Sequence, residues 1–590
     1  MVIYTAGMKI RINIWSILFA FCLFLSGCSG RHGQVTLRIV ATTDVHGRIF
    51  VDDCLDGSER NGNLAKFSTF LKRERSSYKN LIYLDAGDYL QGSVDLYHDL
   101  TAQFLKPCLP ATAFNWLGCD ASTIGNHDLA AGQQSLYRFL DDAAFPVVCA
   151  NLLFPDSVYY VRPYTLIERH GVRVAVLGLI TPTVRYSIPS DIRGRLIVKD
   201  PVEAARYWVP ILKEKADVVV GLFHSGYDGG TSVPDLGHEN VVRNILAEVP
   251  GLDVIVFGHD HNARSGKFAD CQGDSVMIVN TGPHATKAAV VTVNVDFTQG
   301  DKPMVTADGE LVDITQETPD PDFMKYFSGW HDDLANYMDS VICRLDAPLE
   351  VNAVLWRNVS AVDYIHSIQM NCQGAEVSLA ATPASVITVP AGDVTIRDVF
   401  RFYPADNNMV SVMLKGSEIK AVLENSAGSF YNTVEKGTEH LLRTRAGRGS
   451  NSVTQPRMPA SQFITAAGIN YEVDVRKPQG ERIRILSMSD GKPFDPERYY
   501  RTTMVSSMYT GSALRRATGL SEKDMEKRFQ ASASADMRYF ILTNMALSKD
   551  AGRSLRFKRL NNRKLVPENV VNRFLANDTV DFTLISTNAR

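Results

Sequence analysis

Apolar residues in the first half of the chain come in short blocks that end abruptly in acidic, amide or imidazole side chains. LRIV at 37–40 runs into ATTDVHGR, LIYL into DAGD, ASTI into GNHD, DVVVGLF into HSG and LDVIVF into GHDH. Blocks of this length, rich in β-branched residues, predict strands at 37–41, 81–84, 121–124, 147–150, 172–180, 218–223, 254–257, 276–279 and 289–295. Helical spacing between them predicts helices at 64–75, 133–142 and 201–215. Strands that alternate with helices give βαβ units and a layered α/β domain, whose ligands collect at the carboxyl ends of the strands.

The pattern changes at 300–322, where Pro, Asp, Gly and Thr accumulate and suggest a boundary. Phe323, Phe327, Leu334, Met338 and Val341 then recur at helical spacing and predict a connecting helix at 321–342. A second mixed α and β region follows to about residue 520, with strands at 410–414, 469–475 and 482–486. Residues 521–590 offer helix-like and basic pieces, KDMEKRF and LRFKRLNNRKL, which read as a solvated face. At 590 residues the chain exceeds what one hydrophobic core supports, so two or more domains are expected.

Composition adds little to this picture. The chain is 45% hydrophobic and 22% charged with a net charge of -3, so it lacks the basic footprint of a binder of polymeric nucleic acid. No obligate protein partner is evident. At the N-terminus, Lys9 and Arg11 precede an apolar run at 14–25 that is short for a membrane span, the form of a signal peptide. It ends in Leu25-Ser26-Gly27-Cys28, which resembles a bacterial lipobox. Residues 1–27 are therefore expected to be removed and Cys28 lipidated, anchoring the protein to a membrane outside the cytoplasm. Translation could start at Met1 or Met8. Of the nine cysteines, seven remain once Cys22 and Cys28 are set aside. Their odd number and lack of C-x-x-C spacing argue against a zinc ribbon or a dense disulfide scaffold.

Chemistry enters with the strand ends. Asp44, His46, Asp88, Asn126, His224, His259 and His261 all follow apolar blocks. In an extended segment residues two apart share a face, so Asp44 pairs with His46 and His259 with His261. Carboxylate, amide and imidazole donors without thiolate suit divalent Mn, Zn, Fe or Co. Seven donors exceed one tetrahedral ion, and two ions sharing Asp88 is the economical reading. Such a pair activates water at neutral pH and clamps the oxygens of a displacement at phosphorus. His127, beside Asn126, is placed to protonate the leaving oxygen. Any one of these motifs alone is a weak signal, since a buried histidine is usually a hydrogen-bonded core residue. His98, His170, His238, His331, His366 and His440 are read that way, whereas His284 in NTGPHATK follows another strand and could line the cleft.

In this order, D-x-H-G, GD-x-x-x-GS, GNHD, HSG and GHDH resemble the calcineurin-like metallophosphoesterase domain of the secreted 5'-nucleotidase family. That family includes UDP-sugar hydrolases and 2',3'-cyclic-nucleotide 2'-phosphodiesterase/3'-nucleotidases. The resemblance implies a four-layer α/β/β/α metallophosphoesterase domain at 34–320, a linker helix at 321–345 and a mixed α/β substrate-binding domain at 346–590. It also assigns Asp44, His46, Asp88 and His261 to a first metal and Asp88, Asn126, His224 and His259 to a second. His127 becomes the catalytic histidine. Several members orient it with an Asp three residues on, where this chain has Ala130, leaving Asp128 as the candidate for that role.

The stretches VPAGDVTIRDVFRFYPADNNMVSVMLKGSEIKAVLENSAG and FITAAGINYEVDVRKPQGERI are similar to the family's nucleotide-binding domain. By that likeness Phe463 and Tyr509 sandwich the base; Phe463 reads equally well as a core aromatic. SLAATPASVITVPAGDVTIRD lacks the Asn-Gly-Gly-x-Ile-Arg stretch of 5'-nucleotidases and is closer to the cyclic-nucleotide branch. The expected substrates are 2',3'-cyclic nucleotides and 3'-nucleotides. The alternatives are a 5'-nucleotidase or UDP-sugar hydrolase, and a catalytically dead nucleotide-binding lipoprotein.

Overall fold

A computed structural model of the chain describes residues 33–575 and 578, apart from 103–105, 189–193, 299–301, 352, 373, 384–387, 406, 436–437, 439 and 446–454. The expected lipidation site at Cys28 lies outside the described residues.

Two six-stranded sheets form the first half. In spatial order one contains Met304–Asp313, Lys287–Asp296, Gln34–Thr42, Leu81–Asp85, Ala121–Thr123 and Val147–Val148. The other contains Arg264–Ala269, Ser275–Asn280, Val254–Phe257, Val218–His224, Val172–Ile180 and Tyr164–Arg169. Their inner faces share one apolar core that includes Ile39, Leu84, Val176, Val220, Val256 and Val291, all 0–1% exposed. Helices cover the outer faces. Leu64–Ser77 and Leu109–Leu117 pack on one side, and Pro201–Lys215 and Val242–Glu248 on the other. This is the expected α/β/β/α stack. Each long helix starts where the sequence supplies a cap: Asn63 accepts from Lys66 N–H at 2.9 Å, and Asp200 from Val202 N–H at 2.8 Å with Pro201 in the first turn.

The central strands of each sheet run parallel, Gln34–Thr42 with Leu81–Asp85 and Ala121–Thr123, and Val172–Ile180 with Val218–His224 and Val254–Phe257. Their carboxyl ends therefore emerge together. Three edge strands escape the apolar-block reading: Tyr164–Arg169, Arg264–Ala269 and Met304–Asp313. The last lies inside the stretch expected to be a boundary. It alternates exposed and half-buried residues because an edge strand buries only one face, leaving no apolar block to see.

The connecting helix spans Pro321–Met338 and buries the expected Phe323, Phe327, Leu334 and Met338. Its cap, Asp320, accepts from Ser68 Oγ at 2.6 Å and Lys72 Nζ at 2.9 Å, fastening it to the helix Leu64–Ser77. Val341, read as helical, opens instead the strand Val341–Leu345.

The second half holds a five-stranded sheet of Ile464–Ala467, Val377–Ala381, Tyr499–Val505, Asn408–Lys415 and Phe529–Asp536, with a three-stranded sheet of Ile483–Met488, Ile469–Asp474 and Arg563–Val566. The basic C-terminal stretch is not only a solvated face. Arg563 is 5% exposed, donates to the carbonyls of Val354 and Arg357, and sets its guanidinium 5.0 Å from the Phe463 ring. The halves meet where Arg401 donates to the Leu55 carbonyl at 2.6 Å and Arg185 pairs with Glu526 at 2.8 Å. The seven described cysteines are free thiols. Among the described residues no helix is long and apolar enough to cross a membrane.

Candidate metal centre

The carboxyl ends of five strands, three from one sheet and two from the other, converge on one cluster of carboxylates and imidazoles. Asp44 and His46 follow Gln34–Thr42, Asp88 follows Leu81–Asp85, and Asn126 follows Ala121–Thr123. From the opposite sheet come His224, the last residue of its strand, and His259 and His261 after Val254–Phe257. All seven expected residues are brought together.

The distances are those of groups sharing a centre. His224 Nε2 lies 3.1 Å from Asp88 Oδ2 and 3.1 Å from Asn126 Oδ1. His46 Nε2 lies 3.8 Å from Asp88 Oδ2 and 3.9 Å from Asp44 Oδ1, and His261 Nε2 is 3.4 Å from Asp44 Oδ1. Two groups, Asp44 with His46 and His261, and Asp44 with Asp88 and His224, place their donor atoms within 4.8 Å of one another.

The backbone is bent to achieve this. Asp44, His46, Asp88, His259, His261, His284 and Ala285 all have left-handed φ between 49° and 76°. They make up seven of the twelve such non-glycine residues described. Each costs on the order of 1–3 kcal/mol, and strain of this kind gathers at functional sites. Bare backbone also lets the loops close. A side chain at Gly258 would overlap the Thr43 hydroxyl, and one at Gly125 would overlap the Asp88 carboxylate.

Each ring is turned by an outer partner. His224 Nδ1 donates to Ala86 O at 2.8 Å and His46 Nδ1 to Gln91 O at 2.7 Å, so both aim Nε2 inward. As a result His46 Nε2, the nitrogen left without a proton, faces His261 Nε2 at 3.1 Å. This arrangement, with buried carboxylates on the other side, fits a divalent cation. Burial opposes charge on Asp44, but the His261 hydrogen bond and the field of His224 hold its carboxyl down at about 2. Burial likewise opposes a proton on His224, yet Asp88 raises it to about 10. That proton occupies the position where a cation would compete.

His127 adjoins the cluster, its ring 5.3 Å from that of His46. Its backbone N–H donates to Asp88 Oδ1 at 2.9 Å, and its Nδ1 donates to Gln91 Oε1 at 2.9 Å. Burial keeps it neutral, with a pKa drawn down to about 4. Asp128 does not orient this ring. Its carboxylate instead accepts backbone N–H groups of Asp88, Tyr89, Leu90 and Gly125 at 2.7–3.0 Å, because the one-turn helix Asn126–Ala130 points it back beneath the Asp88 loop. The orienting group is Gln91, which stands at a variable position of the GD-x-x-x-GS motif in GDYLQGS and so carries no signal of its own in the sequence. His284 does line the site, 5.9 Å from the His46 ring, because its parent strand Ser275–Asn280 runs parallel to Val254–Phe257.

Phe463 and Tyr509 have separate surroundings. Phe463 is 3% exposed among Phe430, Tyr431 and the Arg563 guanidinium, packed as a core ring. Tyr509 is 5% exposed, edge-on to Phe529 and Tyr186, and lines a cavity of about 430 Å3 where the two halves meet.

Comparison with known proteins places this geometry. Residues 37–263 match the calcineurin-like phosphoesterase family and residues 341–514 the 5'-nucleotidase C-terminal domain. A 2',3'-cyclic-nucleotide 2'-phosphodiesterase/3'-nucleotidase of Salmonella typhimurium is 27% identical over 80% of this chain and 81% of its own. A 5'-nucleotidase of Diplobatis ommata is 23% identical over 79% and 78%. Among solved structures, the Haemophilus influenzae NAD nucleotidase superposes with a TM-score of 0.60 at 18% identity, covering 90% of this chain and all of that one. The chain thus joins a calcineurin-like phosphoesterase domain to a 5'-nucleotidase C-terminal domain.

Proposed function

We propose that the protein hydrolyses nucleotide phosphoesters, with 2',3'-cyclic nucleotides and 3'-nucleotides as preferred substrates, and so serves nucleoside and phosphate scavenging. The observation that carries this reading is the convergence of Asp44, His46, Asp88, Asn126, His224, His259 and His261 on one centre. The substrate class is supported by the 27% identity to the cyclic-nucleotide enzyme over 80% of this chain.

In this proposal Asp44, His46, Asp88 and His261 would hold one divalent ion, and Asp88, Asn126, His224 and His259 a second, chosen from Mn, Zn, Fe and Co. Bound there, the ions would acidify water towards neutral pH and supply positive charge for the phosphoryl oxygens. The protein's own part is positional. His127, held by Gln91 through Nδ1–H, is left with Nε2 to pass a proton to the departing oxygen. The arriving phosphate charge favours the imidazolium that burial alone disfavours. Asp128 keeps the Asp88–Leu90 backbone in place. Tyr509, with Tyr186 and Phe529 around its cavity, is the candidate ring for the base.

The domain reading belongs to the same proposal: residues 34–320 perform the chemistry, 321–345 connect, and 346–590 bind the nucleoside. So does an extracytoplasmic, lipid-anchored location through Cys28, which follows from the lipobox-like Leu25-Ser26-Gly27-Cys28. Incorporation of labelled palmitate that is lost in Cys28→Ala tests the anchor.

The test of function is hydrolysis of 2',3'-cyclic AMP, 3'-AMP, 5'-AMP and UDP-glucose side by side, with Mn or Zn added. Preference for the first two is expected. Preference for 5'-AMP or UDP-glucose selects the 5'-nucleotidase or UDP-sugar hydrolase reading, and no turnover of any substrate selects a binding protein.

A further inference from the structure

Four imidazoles around the centre have an outward hydrogen bond, and one of the four is turned the opposite way. His46, His127 and His224 each give Nδ1 to an uncharged oxygen. His259 instead gives Nε2 to a carboxylate, Glu239 Oε1, at 2.9 Å. Its Nδ1 is therefore the ring nitrogen left for the centre, beside the His224 ring 5.3 Å away.

Glu239 is itself fixed. It sits on the hairpin of Gly229–Val233 and Gly237–Asn240, which follows the strand ending at His224. Its second oxygen accepts Thr231 N–H at 2.7 Å. Its backbone carbonyl accepts Ser225 Oγ at 2.7 Å and Thr181 Oγ1 at 2.9 Å, tying the hairpin to the ends of two second-sheet strands. The backbone approaches the carboxylate at Gly230, where φ is +80° and an added Cβ would lie 2.7 Å from Glu239 Oε2. A charge held this firmly against one nitrogen sets the tautomer, the rotation and the basicity of the ring.

We infer that Glu239 is a positioning residue that locks His259 with Nδ1 facing the centre and so sets the affinity for the divalent cation His259 holds. This rests on the metal-centre reading above. Its residue lies outside the Asp-x-His, Asn-His-Asp and Gly-His-Asp-His motifs and acts only through His259.

The test is equilibrium dialysis of the full chain against Mn2+ followed by metal analysis, for the wild type, Glu239→Gln and Glu239→Ala, with melting curves of the metal-free proteins. Glu239→Gln keeps the shape and an acceptor but removes the charge. The expected result is an affinity for one equivalent of Mn2+ weakened roughly 10–100-fold in both variants, the usual cost of losing such a partner, with the metal-free melting temperature of Glu239→Gln unchanged. Wild-type affinity in Glu239→Gln overturns the inference while leaving the metal centre standing. A metal-free melting temperature that falls in both variants, with no change in affinity, overturns it in favour of a purely structural hairpin tie. A wild type that retains no Mn2+ overturns the metal-centre reading, and this inference with it.

Discussion

His127 Nδ1 lies 2.9 Å from the side-chain oxygen of Gln91, and no carboxylate takes that place. An amide holds the tautomer without adding negative charge, so the ring depends on geometry alone for its orientation. His127→Ala is expected to keep its metal content and lose roughly 10²–10⁴-fold in kcat, the span of general acid–base catalysis. Gln91→Ala leaves the backbone carbonyl that holds His46 and is expected to lose about tenfold, a part of that effect. Metal analysis beside kcat and KM separates the two; an unchanged kcat in His127→Ala removes this histidine from the mechanism.

Asp128 gathers four backbone N–H groups under the Asp88 loop. Asp128→Ala orphans several buried donors at about 1–3 kcal/mol each, so a loss of roughly 3 kcal/mol or more is expected, together with weaker metal retention. Calorimetry and metal analysis of the variant check this. A stable variant with full metal content but low turnover would instead return Asp128 to a direct catalytic role.

His366 offers a pH test far from the centre. Its ring is buried between Ser378 Oγ at 2.8 Å and Thr465 Oγ1 at 2.9 Å, and burial lowers its pKa to about 3. The unfolded chain, near 6.5, takes up the proton first, so this contribution to stability is whole above about pH 6.5 and is lost as pH falls towards 3. The stability difference between wild type and His366→Gln is expected to shift by about 2–3 kcal/mol against the wild type between pH 7 and pH 4.5. A difference that stays constant across that range shows that the imidazole does not titrate on unfolding.

The two aromatic candidates are expected to separate. Phe463→Ala removes a core ring and should cost about 3–5 kcal/mol of stability. Tyr509→Ala should raise KM for nucleotides roughly 5–100-fold, the equivalent of about 1–3 kcal/mol of stacking on a base. Melting temperatures and KM measured on both variants decide; a KM effect in Phe463→Leu, which preserves the packing, would restore Phe463 to the substrate.

The parts legible in the sequence are those where burial leaves a contiguous trace. Val172–Ile180, Val254–Phe257 and Pro201–Lys215 stand where the apolar pattern puts them, since central strands and an amphipathic helix print their burial directly into composition. Met304–Asp313 does not, because its single buried face is shared with polar residues. At the site, ligand-type residues directly after strands are visible as motifs. Gln91 and Glu239 are not, because their neighbours in space lie 36 and 20 residues away along the chain. Arg563 shows the same limit: a lysine- and arginine-rich run reads as surface until the carbonyls it caps are known.

The centre draws Asp44, His46, Asp88 and Asn126 from one sheet and His224, His259 and His261 from the other. On the proposed assignment each ion would take ligands from both sheets, and an ion bound across them would act as a rivet between the sheets. Its binding free energy is then credited to the sandwich as a whole. Metal occupancy would then be a gauge of assembly: a substitution in the apolar layer around Ile39 and Val220 that loosens the seam would register as lost affinity at the centre, without touching a ligand.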